Sequence, residues 1–366
     1  MAKKKLLIIS TGGTIAQTRG KHGVSENVGK SQGQEFANLL ENECSEANYE
    51  IDAQPIFDKD SSNIIPEDWE LIIDAITQNY DKYDSFLITH GTNTLGYTSA
   101  ALSFALGNLD KRVVLTGSQI PPYTSAGKPT SGSDALINLQ NAARVAMHKR
   151  DLVGVMVVFG SKIITGTRVK KRTEFDYDGF ESFSTVPLIG SVGNTIRFDK
   201  VGLDYHQSLY TNRAKTVGRL QVYKKFNMNI ASLTEFPGMK PDIFVALANS
   251  NVRGIILRSV GAGDPNIALK GESYTNLRDG FDLLKNRGIS IVVTTQAPRG
   301  VASMDKSDLG KAAYDMGAIP AWDMSIEAIT VKLAWLLGKG VVYEDIRDEM
   351  LKPTKGEIVY QDDSLE

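Results

Sequence analysis

Short, unbroken apolar runs alternate with amphipathic stretches along this chain. The runs KLLIIS (5–10), IDAQPIF (51–57), FLITH (86–90), RVVLTG (112–117) and GVMVVFG (154–160) read as continuous, not as polar–apolar alternation. Runs of that kind predict parallel strands covered on both faces. Between them lie EFANLLENE (35–43), PEDWELIIDAITQNY (66–80), TSAALSFALGNL (98–109) and SDALINLQNAARVAMHK (133–149). Each begins near Ser, Thr, Asp or Pro, the residues that start helices. The prediction is an α/β fold, an open and mostly parallel sheet sandwiched by helices over residues 1–205. The rhythm lapses over polar, basic 206–228, which predicts a linker. It returns in VRGIILRSVG (252–261), TNLRDGFDLLKNRG (275–288), ISIVVTT (289–295), KAAYDMGA (311–318) and SIEAITVKLAWLLGKG (325–340), a second, smaller α/β domain over 229–366. The chain shows no internal repeat and no low-complexity segment.

Composition narrows the function classes. At 366 residues with 42% hydrophobic and 23% charged positions, this is the make-up of a soluble globular protein of about two domains. A net charge of −2 argues against nucleic acid or an anionic membrane as partner. Cys44 stands alone, so neither a disulfide framework nor a cysteine zinc site is expected. The first apolar stretch is too short for a signal peptide or a membrane span. The cytoplasm is the expected compartment.

Ligands of open parallel sheets sit beyond the carboxyl ends of the strands. Those ends carry TGGTIA (11–16), DKDSSN (58–63), HGTNT (90–94), GSQIPP (117–122) and, after the fifth strand, GTRVKK (166–171). The chemistry gathered there is hydroxyls, glycine amides, one acid or amide, and lysine. GTNTLGY has the glycine spacing of a phosphate-binding loop but lacks its lysine, and TGGTIA fits no dinucleotide pattern. The single G-x-S-x-G, residues 29–33, follows polar SENV and not the strand that a nucleophile elbow needs. EFDYDGFESFST places Glu174, Asp176, Asp178 and Gly179 at calcium-loop spacing, but Thr185 stands where the bidentate Glu is required. His22, His90, His148 and His206 show no zinc spacing, so no metal is expected. His90, at a strand end, reads as a packed, hydrogen-bonded side chain. What remains is a threonine hydroxyl as nucleophile. It needs a base, and a desolvated lysine is the natural one. Glycines beside the threonines let backbone N–H groups approach a developing oxyanion.

These loops resemble the bacterial-type L-asparaginases, especially the cytosolic and archaeal-like branch, over nearly the whole chain. TGGTIA, DSSNIIPEDW, HGT-x-T, VVLTGSQIP, GTRVKK, GIILRSVGAG and IPAWDMSIEAITVKLAWLLG occur in the family's order. The resemblance implies hydrolysis of L-asparagine to L-aspartate and ammonia, without a cofactor. It implies Thr14 as first-loop nucleophile, Thr92 as second threonine and Lys171 as the lysine, with Lys170 adjacent. It implies substrate binding by Ser61, flanked by Asp60 and Ser62, by Gly91, and by the main-chain carbonyl of Ser118. It further implies a homodimer or homotetramer in which Gln296 and Glu327 of a neighbouring subunit help to close each site.

Two positions depart from the family pattern. HGT-D-T reads HGT-N-T here, and Asn93 keeps a carbonyl acceptor but loses the charge. The expectation is weaker binding of a substrate ammonium and a Lys171 deprived of a partner. The mobile loop after TGGTIA carries Val24 where the family has a tyrosine, and the nearest downstream tyrosine is Tyr49. These departures keep two other readings open. One is a catalytically inactive, amino-acid-binding homologue. The other is the ammonia-releasing, D-type component of a glutamyl-tRNA amidotransferase. The family's D-type component has an extra domain before TGGT, whereas this motif starts at residue 11.

Overall fold

The structure, a computed structural model, describes residues 3–20, 25–27, 32–43, 49–217, 219–268 and 276–359. The chain divides into two compact units, Met1–Lys224 and Lys225–Glu366.

The first unit is built on an eight-stranded sheet. Its strands are β1 (Lys4–Gly12), β2 (Tyr49–Lys59), β3 (Ser85–Thr89), β4 (Arg112–Thr116), β5 (Gly154–Phe159) and β6 (Lys162–Thr165), then β9 (Gly190–Val192) and β10 (Ile196–Phe198). Between β6 and β9 the chain forms a separate hairpin, β7 (Val169–Lys171) and β8 (Phe180–Ser182). The sheet order is β10-β9-β6-β5-β4-β3-β1-β2, and β2, β1, β3, β4 and β5 run parallel. The five apolar runs thus form one parallel sheet, with β3, β4 and β5 buried along their whole length. Such strands need cover on both faces. Helices α1 (Gln32–Glu43), α2 (Pro66–Gln78), α3 (Leu95–Ala105) and α4 (Ala135–Ala146) lie between successive parallel strands in the chain. Helix α3 is buried on nearly all sides, so its sequence carries no polar face. The antiparallel edge, β6, β9 and β10, is absent from the sequence-based expectation because its strands are too short to carry a periodic signal.

The boundary between the two units falls inside the linker expected over 206–228, and part of that span is regular structure. Helix α5 (Lys200–Val217) runs through its first half, and Gln221–Val222 pairs with Leu106–Gly107. Leu203, His206 and Tyr210 are buried at helical spacing. His206 bonds the carbonyl of Val153 and the Thr165 hydroxyl, and Tyr210 packs where Gly154 has no Cβ. Buried polar groups of this kind are invisible to a reading that equates polarity with solvent.

The second unit has a four-stranded, all-parallel sheet ordered β11 (Ile230–Thr234), β12 (Gly254–Ser259), β13 (Ser290–Thr295), β14 (Ile319–Pro320). Its helices are α6 (Asp242–Ala248), α7 (Arg278–Asn286), α8 (Asp308–Asp315), α9 (Ile326–Gly338) and α10 (Tyr343–Leu351). Phe244, Leu257, Phe281, Leu284 and Val293 share one core cluster. Within this unit Lys332 of α9 is fully buried. Its ammonium donates to Glu357 at 2.6 Å and to the carbonyls of Met350 and Lys352. Burial pushes the Glu357 carboxyl up, but Lys332 and the backbone N–H of Lys355 outweigh it and hold the group below its usual range. Burial pushes the Lys332 ammonium down against the pull of Glu357, and the hydrogen-bonded pair ties residues 350–357 to α9.

Removing one charge of a buried pair leaves the other uncompensated. Glu357→Gln is expected to destabilise the second unit by about 3–5 kcal/mol. Denaturant unfolding followed through Trp322 and Trp335 fluorescence reads the change. A variant as stable as the parent would show that Lys332 needs no counter-charge.

Candidate active site

The strand order places β1 between β2 and β3, so the connections leaving β1 and β3 diverge there. This is the topological switch point at which open α/β sheets take ligands. Gly12 and Gly13, at the end of β1, adopt φ of +91° and +77°, a region that side chains disfavour. A Cβ on Gly13 would overlap the backbone of Gly91, and one on Gly91 would stand 2.6 Å from the Ser61 hydroxyl. The loops after β1, β2 and β3 therefore meet backbone to backbone. Thr14 opens the one-turn helix Thr14–Ala16 directly after this contact and is half-buried.

The β2 loop ends in a short turn, Ser61–Asn63, capped by Asp60, whose carboxylate accepts the Ser62 N–H at 2.8 Å. Ser61 is buried, its hydroxyl accepts the Asn93 N–H at 3.1 Å, and its carbonyl accepts the Thr94 hydroxyl at 2.7 Å. The β3 loop runs straight into α3, so Thr92, Asn93 and Thr94 occupy the approach to that helix's amino end.

Lys171, the last residue of β7, reaches into this ring. Its ammonium donates to the Thr92 hydroxyl at 2.9 Å and to the Asn93 side-chain carbonyl at 2.8 Å. The lysine requires the oxygen of Asn93 to face it, so Asn93 Nδ2 turns to the Ser62 hydroxyl at 2.9 Å. The expectation that Lys171 lacks a partner is corrected here. Asn93 keeps the hydrogen bond and loses only the charge. Burial pushes the Lys171 pKa down, with Glu174 and Asp60 pulling partly the other way. Lys170 lies one residue back on β7, opposite Glu181 in the hairpin register, while Lys171 makes the contact to Thr92.

His90 is a fully buried structural group. Its Nδ1 donates to the Gly91 carbonyl at 2.7 Å, so Nε2 accepts from Thr98, whose oxygen accepts from the Trp69 indole. Burial drives its pKa down to about 4, which leaves it neutral at pH 7. Ser118 is fully buried after β4, and its hydroxyl makes no hydrogen bond among the described residues. At the calcium-like segment, Asp176 pairs with Arg172 and Asp178 with Lys162.

Thr92, Asn93, Lys171, Ser61, Ser62 and Gly91 thus come together, with Asp60 and Thr14 on the adjoining turns. Gln296 and Glu327 belong to the second unit. There the Gln296 amide donates to the carbonyls of Glu235 and Arg258, and Glu327 is buried in the first turn of α9. Tyr49 starts β2 opposite Lys4, at the end of the sheet away from the loops that carry the site. His22, Val24, residues 29–31 of the G-x-S-x-G and Cys44 lie outside the described residues. Sequence reading missed Gln119, whose amide bridges two site loops, and Asp134, which holds Gln119 in place. The available signal was an acid and an amide four residues apart at the start of the fourth predicted helix.

Fold and site together define a two-unit α/β protein with a threonine–lysine centre at a switch point. The family profile "Asparaginase, N-terminal" matches residues 5–202, and "Glutaminase/Asparaginase C-terminal domain" matches 229–350. The chain is 33% identical to L-asparaginase of Thermococcus kodakarensis, over 97% of this chain and 99% of that one. It is 33% identical to L-asparaginase 1 of Escherichia coli K12, over 99% and 100%. The D-type component of the glutamyl-tRNA(Gln) amidotransferase of T. kodakarensis is 31% identical, over 96% of this chain and 76% of that protein. Among solved structures, L-asparaginase I of Vibrio cholerae superposes with a TM-score of 0.81 at 31% identity, covering 98% and 100%. This chain belongs to the asparaginase family.

The glycine contact is testable by stability. Gly13→Ala forces a Cβ into the Gly91 backbone at positive φ, and is expected to cost about 1–3 kcal/mol or more. Thermal unfolding measures it. An alanine tolerated without loss would mean that the loops do not touch as described.

Proposed function

We propose that the chain hydrolyses the side-chain carboxamide of L-asparagine, giving L-aspartate and ammonia. The observation that carries this reading is the Thr92–Lys171–Asn93 contact, at 2.9 and 2.8 Å, beside the Gly13–Gly91 backbone. Burial pushes Lys171 toward its neutral form, the form that can take the Thr92 proton.

The Thr14 oxygen attacks the amide carbon as its proton passes by way of Thr92 to Lys171, and the carbonyl π pair moves onto oxygen. Collapse of that adduct expels the amide nitrogen, which leaves as ammonia with a proton returned through the lysine. Water then attacks the ester, the threonine regains its proton, and the acid departs. Thr14 is the attacking group in this reading, Thr92 and Lys171 handle the proton, and glycine N–H groups receive the oxyanion. Ser61 and Ser62 offer hydroxyls to the substrate carboxylate, and the Ser118 carbonyl accepts from the departing amide. Asn93 presents no charge to the substrate ammonium. Gln296 and Glu327 of a second copy are the proposed closing residues, in a homodimer or homotetramer.

The similarity to D-type amidotransferase components supports a second reading, in which the same ammonia release serves a complex. Turnover of free asparagine by the isolated chain separates the two.

Asn93→Asp is expected to lower KM for L-asparagine about 10-fold to 100-fold by supplying a counter-charge. The new carboxylate also favours protonated Lys171. The rising limb of kcat with pH, which follows deprotonation of Lys171, should therefore move to higher pH than in the parent. Coupled ammonia assays across a pH series read both. A folded Asp variant with unchanged KM would refute the charge account. Thr14→Ala and Thr92→Val are each expected to reduce kcat by about 10³-fold or more. Full activity in either would remove that residue from its role.

A further inference from the structure

We infer that Asp134 is a positioning residue of this site: it holds the loop after β4 and, through Gln119, the loop that carries Lys171. The inference rests on the proposed role of Lys171.

Asp134 directly precedes α4 and is 5% exposed. An Asp there ordinarily caps its own helix. This one makes no cap and turns its carboxylate to the β4 loop. Both oxygens accept the Gln119 N–H at 3.0 Å, and Oδ1 also accepts the Ile120 N–H at 3.0 Å. Oδ2 accepts from Asn138 at 2.9 Å, and the same Asn138 amide donates to the Gly117 carbonyl at 2.9 Å. Ser133 donates to the Ile120 carbonyl at 2.9 Å. The chain from Gly117 to Ile120, which includes Ser118, is thus held at its N–H and carbonyl groups by one helix end.

The held loop passes this order on. A Cβ on Gly117 would collide with the His90 carbonyl and lie 3.6 Å from the Thr92 methyl, so the β4 loop packs closely on the loop that carries Thr92. The Gln119 side chain crosses to the segment after Lys171, where its Nε2 donates to the carbonyls of Thr173 at 3.1 Å and Asp176 at 3.2 Å. Its Oε1 stands 3.5 Å from the Thr92 hydroxyl. A Cβ on Gly179 would overlap Gln119 Nε2, so that turn is shaped to admit the amide. The Arg172 N–H closes the same turn onto the Gly179 carbonyl at 2.8 Å. Losing the Asp134 acceptors releases Gln119, frees two carbonyls of this turn, and lets Lys171 swing toward water.

The test compares the full chain with Asp134→Asn and Gln119→Ala. The first replaces an acceptor oxygen by an amide that faces N–H donors. The second removes the bridge and leaves the Asp134 anchor intact. Competitive labelling of amines across a pH series, read at Lys171 by mass spectrometry, gives its protonation midpoint without needing turnover. Glu174, Asp60, Thr92 and Asn93 surround Lys171 in all three proteins. Both variants are expected to raise the midpoint by about one pH unit as the amine becomes solvated. Both are expected to lower kcat about 10²-fold with KM within about 3-fold. A folded variant whose Lys171 midpoint is unmoved overturns the inference, even if its melting temperature falls. If Asp134→Asn does not fold, Gln119→Ala decides alone. A parent chain silent on L-asparagine refutes the hydrolase reading, and the labelling result still decides this one.

Discussion

The site depends on one contact, the backbone of Gly13 against the backbone of Gly91. Two neighbouring parallel strands end there, and their loops meet without side chains between them. That approach puts the first threonine loop beside the second, while the Gly13 N–H donates to the Lys59 carbonyl at 2.9 Å. The Ser61 hydroxyl fills the remaining space and ties the third loop in through the Asn93 N–H. Any side chain at either glycine would push these loops apart.

Upon that frame the chemistry is electrostatic. Lys171 enters from a hairpin outside the main sheet, so its reach is set by what holds the hairpin's turn. Burial makes its ammonium less favourable, and Asn93 answers it with a dipole, not a charge. The lysine therefore meets a neutral acceptor while burial pushes its pKa down.

The sequence pattern foretold the five parallel strands and the alternating helices because unbroken apolar runs have one stable placement, between two layers. It was silent on the antiparallel edge, whose short strands carry little apolar signal. It did not reveal α5, where His206 and Tyr210 are polar residues made compatible with burial by partners more than 40 positions away. The loop motifs located the threonines, serines and lysine, because glycine and hydroxyl residues at strand ends are a local signature. Gln119 and Asp134 escaped notice, since their value lies wholly in which distant backbone groups they meet.

By itself, then, the chain's order of residues determined the layer architecture and the chemical types present at the strand ends. Local periodicity and turn chemistry act over a few residues, and these features need nothing more. Only the tertiary structure decided that Lys171 and not Lys170 contacts Thr92, and that Asn93 turns its oxygen to the lysine. It alone decided that an acid before α4 braces the loop beside them. Those choices come from strand register, from the two-residue alternation of side chains, and from burial. None of the three exists until segments far apart in the chain are packed together.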